Sequence, residues 1–480
     1  MRARQRRAMQ KRKAQSLPDP LQPYIYESLD ITAIDLEAQG IARAEGKVIF
    51  VAGAIPGETV MAERTREKAA FDKAKTIAIL RPSAARVTPR CPHVGVCGGC
   101  SMQHVDAATQ LAIKQRALED NLWHIGKVRP EQILPAIAGT PWGYRYRARL
   151  SVKAVRKRGE VLVGFHEKAS RFIADIQSCA VIPPHVSALL LPLRHMVAAL
   201  TVDDAFPQIE LGVGHGTTVL VARIIAPMTQ ADRDVMHAFA VAHSTDAMRI
   251  EWWLQLNDED DIFPLQPDWV RPLHYVLPEF GIVMPFKATD FTQVNHEMNR
   301  VLVGKAIRLL DIQAGESVLD LFCGLGNFTL PLARTVERVN AYGNSNSDAL
   351  NLRVLGIEGS DTLVTRATDN ATHNQLAYIT TFLARNLFTV TAEDIASWGL
   401  FDRWLIDPPR EGAQAICQAL ADLPKVFRPK RIVYVSCSPA TLARDAGVLT
   451  RAGWCLSSAG VANMFPQTSH VESIAVFDAV

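Results

Sequence analysis

Short alternating runs of apolar and polar residues dominate the chain between residues 17 and 80, as in Lys47 to Val51. Glycines at 40, 46, 53 and 57 separate these runs. A period of two with glycines between runs is typical of short β-strands joined by turns. The pattern predicts a small antiparallel barrel of about five strands.

Longer, fully apolar runs replace this alternation after about residue 286. Each such run leads into a segment with helical periodicity. Apolar strands that alternate with helices predict a doubly wound parallel sheet. The predicted strands are 317–319, 354–357, 404–406 and 432–435, and the clearest predicted helices are 295–312 and 414–423.

The length of 480 residues exceeds what one core supports and predicts two or three domains. We predict a basic tail over 1–16, the barrel over 17–80, a central region of mixed strands and helices over 81–285, and the α/β domain over 286–480. The net charge of +3 is nearly balanced. Seven lysines and arginines nevertheless crowd the first thirteen positions, a run that suits a polyanion or merely aids solubility.

Several classes of protein are excluded by composition. No run of about 18 apolar residues is present, so no membrane span is expected. The N-terminus lacks the apolar segment of a secretory signal. Eight cysteines in a chain of this length do not make a disulfide scaffold, and we expect a cytoplasmic location.

A glycine-rich turn, Asp320 to Asn327, follows the first apolar strand. Glycines let the backbone turn tightly and approach a ligand there. Because neither G-x-G-x-x-G nor a P-loop lysine is present, the turn suits a nucleoside without phosphates, although a generic αβ turn would look similar. Glu358 ends the next strand, where a carboxylate typically binds ribose hydroxyls.

Two further strands end in reactive side chains. Asp407 precedes two prolines that fix its backbone, so it should face the ligand crevice. Cys437 precedes Ser438 and Pro439, which are typical of a helix cap and first turn. A thiol beside a helix N-terminus is expected to have a depressed pKa and to act as a nucleophile.

The remaining acidic and thiol candidates carry weaker signals. Glu472 precedes the last apolar strand and, taken alone, is more typical of a solvated surface residue. Cys417 and Cys455 are expected in the core, and Cys323 is expected to pack inside the glycine turn.

A cysteine cluster lies at Cys91, Cys97 and Cys100, with Cys179 farther along the chain. Four thiolates close a tetrahedral zinc site or an iron–sulfur cube equally well. The spacing C-x5-C-x2-C does not separate these two metals. It does differ from the C-x3-C-x2-C of radical methyltransferases, which leaves one iron open.

In this order, the segments resemble the family of RNA uridine-C5 methyltransferases, and most of all its 23S ribosomal RNA branch with an iron–sulfur cluster. The resemblance covers residues 24–480. It is carried by QGIARAEGKVIFVAGAIPGETV, CPHVGVCGGCSMQH, DFTQVNHEMN, LDLFCGLGNFTLPLA, IVYVSCSPATLARD and MFPQTSHVESIAVF. One segment, 337–357, lies between the first helix after the glycine turn and Glu358, and it is longer and more polar than the corresponding link in the family.

The resemblance implies a multidomain α/β fold: an N-terminal OB-like (TRAM) β-barrel that binds RNA, a central α+β domain with the cluster, and a C-terminal Rossmann-like class I methyltransferase domain. It implies S-adenosylmethionine as cofactor and 23S ribosomal RNA as partner, with no membrane. The implied residues are Cys437 as nucleophile and Glu472 as base; Gln293, Phe322, Asn327, Glu358, Asn386 and Asp407 as cofactor contacts; and Cys91, Cys97, Cys100 and Cys179 as ligands of a [4Fe-4S] cluster.

Two other functions fit parts of the sequence. A related enzyme of the family would act on another site in ribosomal or transfer RNA. A non-catalytic RNA-binding protein would keep the fold but not an intact Cys437, Asp407 and glycine turn. An amino-methyltransferase would carry an N-P-P-Y motif, which the Asp-Pro-Pro-Arg segment at 407–410 does not match.

Overall fold

The computed structural model describes residues 26–256, 262–269, 272–342 and 353–480. The chain divides after Arg86 into two units. The predicted tail over 1–16, and residues 343–352 of the long polar segment, lie outside the described residues. Among the residues that the structure describes, no helix is both long and apolar enough to cross a membrane.

The first unit is a six-stranded sheet whose alternating residues bury one face. Ile49, Val51 and Val60 form its core with no exposed surface. The spatial order is β1-β5-β6-β4-β3-β2. Its strands are β1 (Tyr26–Asp30), β2 (Ala33–Ile34), β3 (Gln39–Ala44), β4 (Lys47–Ala52), β5 (Thr59–Glu67) and β6 (Phe71–Arg81).

The prediction of about five antiparallel strands was wrong in one detail, the direction of one strand pair. The sheet has six strands, and β4 pairs with β6 in parallel. Alternation with a period of two shows which residues are extended but carries no information on strand direction. Here β5 lies between the two in the chain, so β6 returns to β4 in the same direction.

The central part of the second unit contains another six-stranded sheet, with the order β13-β12-β11-β10-β8-β9, and a separate hairpin of β14 and β15. Helices pack on the sheet around a core that includes Trp252 and Phe206. Its strands are β8 (Arg147–Val155), β9 (Glu160–Gly164), β10 (Gln208–Val213), β11 (Thr217–Arg223), β12 (Arg249–Gln255), β13 (Ile262–Pro264), β14 (Leu273–Leu277) and β15 (Ile282–Phe286). Its helices are α1 (Ala107–Asn121), α2 (Pro184–Ser187), α3 (Leu190–Ala198) and α4 (Gln230–His243), with short helical turns at Leu122–Gly126, Asp203–Ala205 and Pro278–Phe280.

The C-terminal part is built on an eight-stranded sheet with the order β18-β17-β16-β19-β20-β22-β21-β7. Its strands are β7 (Gln132–Ile133), β16 (Val318–Leu321), β17 (Val354–Glu358), β18 (Thr380–Ala384), β19 (Arg403–Ile406), β20 (Arg431–Ser436), β21 (Trp454–Ala462) and β22 (Glu472–Ala479). Its helices are α5 (His296–Leu310), α6 (Thr329–Tyr342), α7 (Asp361–His373), α8 (Ala392–Trp398), α9 (Gln414–Asp422) and α10 (Pro439–Arg451), with a 3-10 turn at Lys425–Phe427. The predicted domain boundary near residue 285 stays a prediction, because residues 87–480 form a single compact unit.

The prediction of a doubly wound parallel sheet holds only for five neighbouring strands. Strands β18, β17, β16, β19 and β20 are parallel, whereas β22 is inserted antiparallel between β20 and β21. The reason is the connection before β22, which joins it directly to β21 as a hairpin without a crossover helix. This insertion brings the start of β22 to the carboxyl ends of the parallel strands.

Candidate functional site

The turn after β16 departs from ordinary backbone conformations at three positions. Phe322, Gly324 and Gly326 have φ of +64°, +56° and +94°. Glycine adopts such angles freely, and a phenylalanine there is held by its surroundings. The turn places the Phe322 side chain in the wall of a cavity. Asp320, predicted in the turn, belongs to β16.

Glu358 lies at the end of β17 and grips the glycine turn. Its Oε2 accepts a hydrogen bond from Gly324 N over 3.1 Å, and its Oε1 accepts one from Gly359 N over 2.8 Å. The carboxylate therefore bridges the first two strand ends of the sheet. Oε1 also accepts a hydrogen bond from Ser360 N over 3.2 Å. Glu358 lines the cavity, where the remaining lone pair of Oε2 is available to a ligand.

Asp407 follows β19 and lines the same cavity beside Pro408 and Pro409. Burial raises the pKa of Asp407 to about 7. A carboxyl group in such a desolvated place gains strongly from a cationic ligand. Asp407 thus has a backbone fixed by the following prolines and a carboxyl group that a nearby positive charge would stabilise strongly.

Cys437 follows β20, and the predicted helix cap is confirmed. Ser438 is the N-cap of α10, with Thr441 N donating to its side chain, and Pro439 occupies the first turn. The expected depressed thiol pKa was wrong. Burial raises the pKa of Cys437 to about 11, with further increases from Glu472 and Asp407, while Arg410 lowers it. Desolvation and two carboxyl groups outweigh the helix terminus.

Glu472 is the first residue of β22 and is only 2% exposed, unlike the solvated residue that its sequence context favours. The register of β22 against β20 pairs Ser473 with Ser436. This register places Glu472 beside the carboxyl end of β20. Burial raises the pKa of Glu472 well above its usual range, and Asp407 adds to the effect.

These side chains line one cavity of about 710 Å³ at the carboxyl ends of the parallel strands. Such a volume is in the range of small-molecule sites. Seven of the eight predicted catalytic and cofactor residues line it: Gln293, Phe322, Glu358, Asn386, Asp407, Cys437 and Glu472.

Asn327 is the predicted cofactor residue that does not line this cavity. Its Oδ1 accepts hydrogen bonds from Tyr275 OH and Asn299 Nδ2, each over 2.8 Å. Its Nδ2 donates to Asn299 Oδ1 over 3.0 Å. The amide is thus engaged within the protein, where it ties the glycine turn to α5.

Among the cavity side chains that sequence reasoning missed, five are aromatic or titratable. Three are aromatic and supply apolar walls, and two are basic or titratable. Arg410 and His470 are close to each other, with Nη2 and Nδ1 separated by 3.4 Å. Four of the five lie within or next to motifs quoted above, but periodicity gives no sign that they face a ligand. These five residues are Phe291, Phe388, Phe465, Arg410 and His470.

A second cavity, of about 240 Å³, is lined by all four predicted cluster cysteines. Phe165, Ile176 and Val181 supply apolar walls, and His470 lines this cavity as well as the larger one. Within the described part of the chain, no group of three or more histidine, cysteine or acidic side chains is arranged to hold a metal ion. Cys179, distant in the chain, nevertheless meets the three cysteines of the cluster in this cavity: Cys91, Cys97 and Cys100.

The other cysteines divide into two kinds. Cys323 and Cys417 are buried, as expected. The prediction that Cys455 is a core residue was wrong, because it is only partly buried and its Sγ donates to Glu131 Oε1 over 3.1 Å. Its strand, β21, packs near the sheet edge beside β7, so its side chain is less covered.

Known proteins resemble this chain over nearly its full length. The family model described as "tRNA (Uracil-5-)-methyltransferase" matches residues 281–479. A protein of Cupriavidus pinatubonensis named "23S rRNA (uracil(1939)-C(5))-methyltransferase RlmD" is 56% identical over 97% of this chain and 98% of its own length. A protein of the same name from Bordetella pertussis is 53% identical over 94% and 93%.

A solved structure extends the comparison to the fold. The Pyrococcus abyssi tRNA (uracil-54, C5)-methyltransferase, in complex with S-adenosyl-L-homocysteine, superposes with a TM-score of 0.69. It is 22% identical and covers 94% of this chain and 100% of its own.

The sheet and its cavity thus define a multidomain protein with the class I fold of S-adenosylmethionine-dependent methyltransferases. Within that class, the chain belongs to the family of RNA uracil-C5 methyltransferases, in the branch named for 23S rRNA.

Proposed function

We propose that this chain transfers a methyl group from S-adenosylmethionine to carbon 5 of a uridine in 23S ribosomal RNA, at the position numbered 1939 in the names of its relatives. The observation that carries the proposal is the shared cavity, in which a cysteine and a buried glutamate meet. Carbon 5 of uracil is a poor nucleophile, so the reaction requires a covalent nucleophile and a base. Ribosomal RNA as substrate also favours the cytoplasm as the place of action.

The cofactor is assigned to the side of the cavity formed by the glycine turn. Glu358 suits the ribose hydroxyls, because it ends the second strand of the sheet and its Oε2 keeps one free lone pair. Asp407 suits the positively charged half of S-adenosylmethionine. Phe322 offers an apolar wall, and Gln293 and Asn386 offer amide groups. Asn327 is assigned an indirect role through the turn that it anchors.

The reaction begins when the Cys437 thiolate attacks carbon 6 of uracil. The electron pair of the carbon 5–carbon 6 double bond moves toward the carbonyl, and carbon 5 becomes enolate-like. Carbon 5 then forms a bond to the methyl carbon of S-adenosylmethionine, and the sulfonium sulfur keeps the electron pair of the bond that breaks. Methyl transfer leaves carbon 5 with one proton too many.

Glu472 then takes that proton. The electron pair released at carbon 5 re-forms the double bond, and the bond between Sγ of Cys437 and carbon 6 breaks to restore the thiolate. The raised pKa of Glu472 makes its carboxylate a stronger base than an exposed one. Arg410 favours the thiolate form of Cys437, because it lowers the thiol pKa against the other influences.

The target uridine must leave its base stack to reach Cys437, as base-modifying enzymes require. Phe465 and His470 line the cavity beside Cys437 and Glu472, and their rings suit a flipped base. The N-terminal sheet is assigned as a TRAM-type, OB-like RNA-binding domain, and the basic tail as a set of phosphate contacts. Deleting residues 2–13 should flatten the salt dependence of RNA binding without changing the uridine that is methylated.

A [4Fe-4S] cluster is assigned to Cys91, Cys97, Cys100 and Cys179. The assignment is supported by the four thiols, which line one cavity together with apolar side chains. The chemistry above needs no redox step, so the cluster is assigned a structural role. Anaerobically purified protein should be brown and hold about four irons per chain. One tightly bound zinc and no iron would contradict the assignment.

The function is tested by mass spectrometry of 23S rRNA nucleosides from a strain that lacks the protein. Loss of 5-methyluridine at one site, restored by the wild-type chain but not by Cys437→Ala, is the expected result. A non-catalytic RNA-binding protein would leave every 5-methyluridine in place, and methylation lost from a transfer RNA would indicate a different substrate.

A further inference from the structure

The connection between β21 and β22, residues 463–471, is termed here the active-site loop. It runs from the end of one strand directly to Glu472, the first residue of the next. Phe465 and His470 of this loop line the large cavity, and His470 also lines the cysteine cavity. The position of the loop therefore determines where the Glu472 side chain lies in the cavity.

The active-site loop is held by residues that lie far earlier in the chain. Four consecutive carbonyl oxygens of the loop each accept a hydrogen bond from a residue between positions 101 and 295. Met464 O accepts from Asn295 Nδ2 (3.3 Å), Phe465 O from Lys114 Nζ (2.8 Å), Pro466 O from Tyr144 OH (2.7 Å), and Gln467 O from Ser101 N (2.9 Å) and Met102 N (3.0 Å).

Gln467 is the most constrained of these residues. Its φ is +68°, in the left-handed region that non-glycine residues rarely adopt, and it is only 4% exposed. Such a conformation persists only where the surroundings over-determine it. Gln110 of α1 provides that constraint: Gln467 N donates to Gln110 Oε1, and Gln110 Nε2 donates to Gln467 Oε1, each over 3.0 Å.

Gln467 and Gln110 also form hydrogen bonds with the segment that follows Cys100, a residue of the cysteine cavity. Ser101, which donates to Gln467 O, directly follows Cys100. Gln110 Nε2 also lies 3.0 Å from Met102 O and 2.8 Å from Val105 O, so its two N–H groups are shared among three acceptors. One buried amide therefore joins the segment after Cys100 to the loop before Glu472.

We propose that Gln110 and Gln467 are positioning residues through which the segment following Cys100 fixes the active-site loop and sets Glu472 for proton removal. The role of Glu472 in this proposal rests on the proposed function. The loop is then not an independent hairpin, and whatever Cys100 binds acts on catalysis through Ser101 and Gln467.

The first test compares Gln110→Leu with Gln115→Ala in the full-length enzyme. Leucine has a similar size but leaves the polar groups of Gln467 unpaired in the interior. Gln115 is on the same helix, and its side chain donates to Glu119 and to no other described residue, so its variant is the control. Backbone amide exchange at Gln467 and its loop neighbours should become roughly tenfold faster in Gln110→Leu only.

The second readout separates positioning from general destabilisation. With substrate RNA, Gln110→Leu should accumulate a methylated RNA adduct on Cys437, because adduct formation precedes the step of Glu472. Calorimetric affinity for S-adenosylmethionine should stay unchanged. Loop exchange and turnover equal to those of Gln115→Ala would overturn the proposal, as would loss of adduct and turnover in equal proportion. A wild-type enzyme that forms no adduct would instead contradict the proposed function.

A second pair of variants keeps the test decisive if Gln110→Leu does not fold. Gln467→Gly retains a residue that adopts φ of +68° without strain, whereas Gln467→Val does not. We expect Gln467→Gly to protect the loop amides better and to turn over faster than Gln467→Val. Equal effects of the two variants would remove the backbone of Gln467 from the argument.

The link to the cysteine cavity is tested by Cys100→Ser against Cys455→Ser. Cys455 serves as the control, because its thiol is partly buried and donates to Glu131, away from the cysteine cavity. Amide exchange in residues 464–470 should accelerate in Cys100→Ser and not in the control. Unchanged exchange in both variants would overturn this link.

Discussion

Ser473 Oγ donates a hydrogen bond to the carbonyl oxygen of Ser436 over 3.0 Å, at the point where β22 and β20 pair in antiparallel register. Cys437 is the residue after Ser436, and Glu472 is the residue before Ser473. Because the strands run in opposite directions, both side chains meet at the same edge of the sheet. This pairing assembles the nucleophile and the base of the proposed reaction.

The first prediction is that Cys437 and Glu472 act in different steps of the reaction. Cys437→Ala should abolish methylation and every covalent adduct with RNA. Glu472→Gln should form the adduct and transfer the methyl group, then stall, because the carbon 5 proton has no acceptor. Denaturing gels and mass spectrometry should show an RNA–protein species heavier by one methyl group than the simple adduct.

The control is Glu411→Gln, the same chemical change outside the cavity, which should turn over as the wild type does. A Glu472→Gln enzyme with normal turnover would remove Glu472 as the base and leave Cys437 unaffected.

The second prediction concerns the thiol of Cys437 in the protein without ligands. Since its pKa is raised to about 11, the thiolate fraction at neutral pH is small and increases with pH. Alkylation of Cys437 by iodoacetamide, followed by peptide mass spectrometry, should accelerate roughly tenfold per pH unit between pH 7 and 10.

Two variants test the cause of this shift. Arg410→Gln should slow alkylation at each pH, because a positive charge that favours the thiolate is lost. Glu472→Gln should accelerate it at the pH values where Glu472 is ionised, because a negative charge is then lost. A reaction rate that levels off below pH 8 would contradict the raised pKa.

The third prediction concerns cofactor affinity. The pKa of Asp407 is raised to about 7, so the group is neutral below that pH and a carboxylate above it. Binding of cationic S-adenosylmethionine should tighten as the pH rises from 6 to 8. Asp407→Asn should weaken binding at pH 8 by more than about 1 kcal/mol and remove most of the pH dependence.

Calorimetry at both pH values measures this effect, with Asp369→Asn on the exposed side of α7 as the control. Equal affinities of the wild type and Asp407→Asn at pH 8 would exclude Asp407 from the cofactor site.

The fourth prediction concerns the buried Lys114, whose Nζ donates to Asn463 Oδ1 and Phe465 O, each over 2.8 Å. Burial lowers its pKa to about 7, below the roughly 10.4 of an unfolded chain. Between these values the unfolded state binds more protons, so the free energy of unfolding should rise with pH from about 7 toward 10. The slope contributed by Lys114 is at most about 1.4 kcal/mol per pH unit.

Denaturant unfolding of the wild type and Lys114→Met at several pH values isolates this contribution. The variant loses two hydrogen bonds, and it should be less stable than the wild type near pH 9, where the free energy of unfolding of the wild type has risen. A constant difference between the two proteins from pH 7 to 9 would show that Lys114 stays charged when folded.

The sequence by itself determined the features that depend on neighbours in the chain. Apolar runs located strands β16, β17, β19 and β20, because a strand buried on both faces must be apolar throughout. Ser438 followed by Pro439 located the start of α10, because a cap needs only a side-chain oxygen and a fixed φ nearby. Local patterns also selected Cys437, Asp407 and the cysteine cluster.

Only the tertiary structure decided the features that depend on residues distant in the chain. The direction of β22, and with it the burial of Glu472 beside Cys437, follows from strand pairing that no local pattern encodes. The shift in the thiol pKa of Cys437 was predicted in the wrong direction. The sequence shows the helix terminus that lowers this pKa, but not the burial and the two carboxyl groups that raise it by more. Gln467 acquires its left-handed backbone from Gln110, which lies on a helix far earlier in the chain. Burial and charge are sums over all neighbours in space, and the chain order reveals only a few of those neighbours.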